Sequence, residues 1–138
     1  MYDNDIGAVV RAALCEAGCD ASLIGDLDPR ATVEISLKDA PTIFVGYRNE
    51  DETDVMIWAA VCDYHDSLIE SCGARFLEEV MKGVSFGTSH QLIIREVSGE
   101  LQISAQLRED VLRSSEEMAN AIQEFFDVLV TFVDVTKR

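Results

Sequence analysis

The sequence predicts one α+β domain spanning residues 1–138, in the order helix, three strands, helix, two strands, helix. Three observations lead there. Apolar residues recur at helical spacing in three separate stretches. Between those stretches lie runs of strand length that alternate polar and apolar residues or are apolar throughout. And 48% of the 138 residues are hydrophobic, enough for a single core that buries roughly two-thirds of the unfolded surface.

The first helix is expected from Asp5 to Gly18. Ile6, Val9, Val10, Ala13, Leu14 and Ala17 follow one another at steps of 3, 1, 3, 1 and 3, a continuous stripe on one helical face. Asp5 is placed to accept hydrogen bonds from first-turn amides, and Gly18 to close the last turn in a left-handed conformation. Asp26-Leu27-Asp28-Pro29 reads as a turn. Thr32–Leu37 alternates as a half-buried strand, and Lys38-Asp39-Ala40-Pro41 turns the chain into a second strand, Ile43–Tyr47, apolar on both faces. Asn49–Asp54 reads as a solvated acidic loop. It lacks the alternating acidic spacing and central glycine of a calcium-binding EF-hand. Val55–Cys62, with Trp58 in it, is a continuous apolar run, as expected of a strand covered on both faces.

Asp63 is the expected N-cap of a second helix ending at Lys82-Gly83. Its apolar positions, Leu68, Ile69, Cys72, Phe76, Leu77, Val80 and Met81, span a wider arc than one sheet needs to cover. Gly73 lies within that arc, where glycine costs about 1 kcal/mol relative to alanine. Close approach of a second copy of the chain would account for it; plain core packing is the alternative. Gln91–Val97 and Glu100–Leu107 form a hairpin through Ser98-Gly99. Leu101, Ile103, Ala105 and Leu107 share its apolar face, and Gln102, Ser104 and Gln106 its wet one. The last helix opens with Ser114-Ser115-Glu116-Glu117 at capping-box spacing. Met118, Ile122, Phe125, Leu129, Phe132 and Val133 form its stripe, while the β-branched run from Val128 to Val135 leaves a strand as the minor alternative.

Eleven basic against 26 acidic side chains give a net charge of −15. That field repels phosphate backbones and anionic lipid, which argues against nucleic-acid and membrane-surface roles. The acidic start Met1-Tyr2-Asp3-Asn4-Asp5 and the lack of an apolar run near ~18 residues argue against a signal peptide or membrane insertion. Cys15, Cys19, Cys62 and Cys72 lie in apolar periodic segments and read as reduced, core-filling residues of a cytosolic protein.

Chemistry is hard to find. No glycine-rich phosphate loop or nucleophile elbow is present, and Cys15 and Cys19 with His65 and His90 do not make a zinc pattern. Asp63-Tyr64-His65-Asp66 is the one compact titratable group, and it reads more simply as a helix N-terminus where aspartates favour the dipole. The aliphatic neighbours of each cysteine would raise its pKa. No enzyme, cofactor or metal is expected.

Several stretches carry a resemblance. Asp5-Ile6, Val10-Arg11-Ala12-Ala13-Leu14 and Gly18-Cys19-Asp20-Ala21-Ser22-Leu23-Ile24-Gly25 resemble the N-terminus of the InvB/SpaK-type chaperones, class IB of bacterial type III secretion systems. Val55-Met56-Ile57-Trp58-Ala59, Gly83-Val84-Ser85-Phe86 before Gln91-Leu92-Ile93-Ile94, and Ser98-Gly99-Glu100-Leu101 are similar in the same order, so nearly the whole chain is covered. The resemblance implies a cytoplasmic bacterial homodimer with a five-stranded antiparallel sheet and three helices. It implies a chaperone that keeps an N-terminal segment of effector proteins extended and delivers it to the secretion apparatus and its ATPase. The dimer contact would lie on the second helix, here Ile69, Cys72, Gly73, Phe76 and Val80. The effector-binding patch would combine Ile6, Val9, Val10, Ala13 and Leu14 with Val33, Ile35, Leu37, Ile43 and Val45. Charged residues at Val9, Val10 and Leu14 are then expected to abolish effector binding and spare the dimer. An adaptor for folded partners, and a dimeric hot-dog-type enzyme using His65 and Asp66, are the rival classes.

Overall fold

A computed structural model describes residues 6–16, 32–47 and 54–137. Along the chain these form α1 (Ile6–Glu16), β1 (Val33–Ile35), β2 (Ile43–Tyr47), β3 (Val55–Asp63), α2 (Asp66–Lys82), β4 (Ile93–Val97), β5 (Glu100–Gln106), α3 (Glu109–Leu112) and α4 (Ser115–Thr136), with a 3-10 turn at Thr88–His90. The caps Asp5 and Gly18, the turn at Asp26–Pro29, Cys19, and residues 49–53 of the acidic loop lie outside the described residues.

All five strands form one antiparallel sheet, in the order β1-β2-β3-β5-β4. Period-two alternation explains which strand sits where. The register lines up Val33, Val45, Ile57 and Ala105 across four strands, and all four are fully buried. β5 alternates buried and half-buried residues and takes a central place, whereas β4 carries Arg95 and Glu96 exposed and takes an edge. Charge on an edge strand discourages further pairing with another chain. On the opposite face Phe44 pairs with Trp58, their rings stacked 5.5 Å apart.

Two turns depend on backbone that glycine allows. Ser98 and Gly99 have φ of 51° and 85°, the positive pair that a tight hairpin turn requires. Gly83 closes α2 at φ 68°, its amide donating to the Val80 carbonyl, and a Cβ there would collide with the His90 carbonyl.

The helices cover one face of the sheet. α4, about 33 Å long at 1.5 Å per residue, runs through the core with Met118, Phe125, Leu129 and Phe132 fully buried. Its N-cap is Ser114, whose Oγ accepts from the Glu117 amide at 3.2 Å. A strand at the chain's end is thereby ruled out. α2 packs on α4 through a Phe76–Phe132 stack at 5.2 Å, and the Cys72 thiol donates to the Val135 carbonyl at 3.7 Å. Glu124 ties α4 to the segment after α2: the Ser85 amide donates to its carboxylate at 2.8 Å, and the Ser85 hydroxyl donates to the other oxygen.

Four expectations need correction. Asp63 is not an N-cap; β3 continues to it because Asp63 pairs with Glu100, and a register shift between Ala60 and Cys62 lets the ladder run on. His65 takes the N-cap position without capping a backbone amide; its Nδ1 is instead hydrogen-bonded to Ser67 Oγ at 2.6 Å. The short helix α3 lies where no helix was expected, because four residues are too few to show a period. Cys15 is exposed rather than core-filling, while Cys72 is buried and Cys62 half-buried. Strand ends also differ: β1 is shorter than Thr32–Leu37, and β4 begins at Ile93 rather than Gln91.

Candidate functional site

Where α1 and β1 meet α4, the packing leaves an apolar cleft of about 150 Å³. Ala13 and Leu14 of α1, Ile35 and Leu37 at β1 and just beyond it, and Ala119, Ile122, Gln123 and Phe126 of α4 line it. The helical stripe turns Val10, Ala13 and Leu14 toward α4, and alternation turns Ile35 inward from β1. Two alanines, Ala13 and Ala119, face the space that larger side chains would fill. Gln123 is the sole polar lining residue among those described; its side-chain amide donates to Asp127 Oδ1 at 3.1 Å. Among the described residues no titratable side chain lines the cleft, so they can bind an apolar group but supply no acid, base or nucleophile.

Of the ten residues expected to bind a partner, Ala13, Leu14, Ile35 and Leu37 line this cleft. Val10, Val33, Ile43 and Val45 are fully buried in the core beneath it, and Val9 is half-buried against that core. The side chain of Ile6 lies outside the described residues. α4 supplies half of the described lining residues, and none of them was in the expected set. A signal for it existed: Ala119 and Phe126 flank the stripe Met118, Ile122 and Phe125, so the apolar arc of α4 is too wide for one contact face.

A second apolar surface runs along α2. Ile69, Leu77 and Met81 are 47%, 60% and 76% exposed, and Gly73 falls on the same line at i+4 from Ile69. Among the described residues a Cβ added at Gly73 would touch only Ile69 Cγ2, at 3.4 Å, so nothing in them demands glycine there. Cys72 and Phe76, from the same expected interface, instead point inward and bind α2 to α4. Val80 is half-buried against the core.

The remaining titratable groups stay dispersed. Among the described residues no group of three or more His, Cys, Asp and Glu could hold a metal. Burial pushes the Cys62 thiol above its usual pKa, with Cys72 and Asp63 adding to the effect, which disfavours the nucleophilic thiolate. His65 and Asp66 are exposed at the start of α2 and belong to neither apolar surface. Among the described residues no helix is long and apolar enough to cross a membrane.

Comparison with known proteins follows the same outline. The family model of the invasion protein B family matches residues 18–98. Over 132 residues the chain is 32% identical to the surface presentation of antigens protein SpaK of Salmonella typhimurium, covering 96% of each chain, and equally to that of Salmonella typhi. Among solved structures, the complex of the Yersinia pestis type III secretion chaperone SycH with a stable fragment of YscM2 contains a similar chain. Its TM-score is 0.60 at 11% identity, covering 92% of this chain and 98% of that one. The heterodimeric ExoU–SpcU complex of the Pseudomonas aeruginosa type III secretion system contains another, at TM-score 0.53 and 15% identity, covering 91% and 96%. At such identities these structures show a shared fold.

Proposed function

The chain belongs to the invasion protein B family, and from that premise we propose that it is a type III secretion chaperone. It binds the N-terminal chaperone-binding segment of effector proteins, keeps it extended, and delivers it to the secretion apparatus. The observation that carries this reading is the apolar cleft lined by α1, β1 and α4, beside a strand at the edge of the sheet. An extended segment can add to such an edge through its backbone while one side chain enters the cleft. Family and fold point to a chaperone, not an enzyme. The chain acts as a cytoplasmic homodimer, with the stripe Ile69, Gly73, Leu77 and Met81 of α2 meeting its counterpart on a second copy. Delivery involves the ATPase of the apparatus, and no nucleic acid takes part.

Co-expression with effectors of the same secretion system, followed by limited proteolysis, tests the reading. Two copies of this chain should protect one N-terminal effector segment. A chain that is monomeric and protects no such segment contradicts it.

A further inference from the structure

The walls of the cleft differ in charge. α4 carries Glu116, Glu117, Glu124, Asp127 and Asp134 and no lysine or arginine. Glu124 is turned away and held by Ser85. Glu116 and Asp127 are exposed, one about a turn before Ala119 and the other about a turn after Gln123, so they bracket the lining residues of this helix. Asp127 is bonded to Gln123 at the cleft itself. Among the described residues neither carboxylate has a basic partner. The facing wall is mixed: Glu34 is exposed on β1, Arg11 is exposed and already engaged on α1, and Lys38 is exposed just past Leu37.

We infer that the cleft selects a segment with one aliphatic anchor and a lysine or arginine beside it, the cation lying on α4 against Glu116 or Asp127. This rests on the chaperone reading and adds the chemistry of the segment bound. The volume sets the anchor, since about 150 Å³ takes one aliphatic side chain and Ala13 and Ala119 keep that space open. The carboxylates set the flank. From the middle of the lining residues, Asp127 is about 7 Å along the helix axis. An extended chain advances about 3.3 Å per residue, so the cation belongs two or three positions from the anchor. The other wall favours a cation less, because Lys38 just past Leu37 and Arg11 on α1 set like charges beside Glu34. Exposed pairs of this kind are weak and screened by salt, so each carboxylate should change affinity by about two- to fivefold, more at low ionic strength.

The test is selection of a random dodecapeptide phage library on the full chain and on two variants. The unaltered chain should enrich Leu, Ile, Val or Met with Lys or Arg two or three positions away. Glu116→Lys with Asp127→Lys should keep the aliphatic anchor and switch the flank to Asp or Glu, a change of sign that loss of folding cannot produce. Ala119→Leu fills the cleft and should lose these peptides. A flank of no preferred charge, an unchanged selection on either variant, or no enrichment at all overturns the inference. Protection of effector segments is measured separately, so a chaperone with an uncharged preference fails this inference alone.

Discussion

The cleft under α1 and the stripe on α2 are both apolar and both reach solvent, yet they are built in opposite ways. The cleft is concave: three elements contribute, its lining includes residues that hold the core together, and small side chains leave the room. The stripe is convex, belongs to one helix, and consists of side chains that no other described element covers. α2 shows the difference within five turns. Leu68, Cys72 and Phe76 at i, i+4 and i+8 are buried, while Ile69, Gly73, Leu77 and Met81, one step on, face outward. Surplus apolar surface is therefore of two kinds, a pocket suited to single side chains and a face suited to another helix.

The two rows of α2 should respond in opposite ways. Phe76→Ala removes half of the ring stack with Phe132 and should cost about 3–5 kcal/mol, read as a large fall in Tm. Leu77→Arg with Met81→Arg touches only exposed positions. It should leave the circular dichroism spectrum intact and convert a dimer to a monomer in sedimentation equilibrium. A variant that stays dimeric removes the stripe from the interface.

A charge inside the cleft's floor separates less cleanly. Val10 is fully buried, so Val10→Asp should unseat α1 and unfold the chain by several kcal/mol rather than affect binding alone. Half-buried Leu37 gives the cleaner variant: Leu37→Ser should cost about 1 kcal/mol or less in stability and weaken effector protection. The smallest effect belongs to Gly73→Ala. Its Cβ meets ordinary contact inside the chain, so helix propensity alone should favour it by about 1 kcal/mol. If a second backbone lies there, dilution should now dissociate the dimer at higher concentration instead.

Much of this architecture was legible from local chemistry. Ile43–Tyr47 begins and ends as a strand where expected, the Ser98-Gly99 hairpin forms, and Ser114 caps α4 through Glu117. These are features that neighbours in sequence decide. What escaped depends on partners far along the chain. Asp63 looks like a cap until Glu100 is found opposite it, and β5 lies inside the sheet only because β4 takes the edge. Helical periodicity named the seven apolar positions of α2 but could not sort them into inner and outer rows. It likewise named the core stripe of α4 and passed over Ala119 and Phe126, whose role comes from the elements opposite. Burial also divides the expected binding patch, with four of its residues at the cleft and Val10, Val33, Ile43 and Val45 in the core beneath.

Photocrosslinking from one residue on each surface tests the division most directly. p-Benzoylphenylalanine replaces Phe126 at the cleft in one protein and Met81 on the stripe in another, each co-expressed with an effector's N-terminal segment and irradiated. The account predicts that the group at position 126 captures the effector and the group at position 81 captures a second copy of the chain. Capture of the effector from position 81 alone, with nothing joined at position 126, would contradict it.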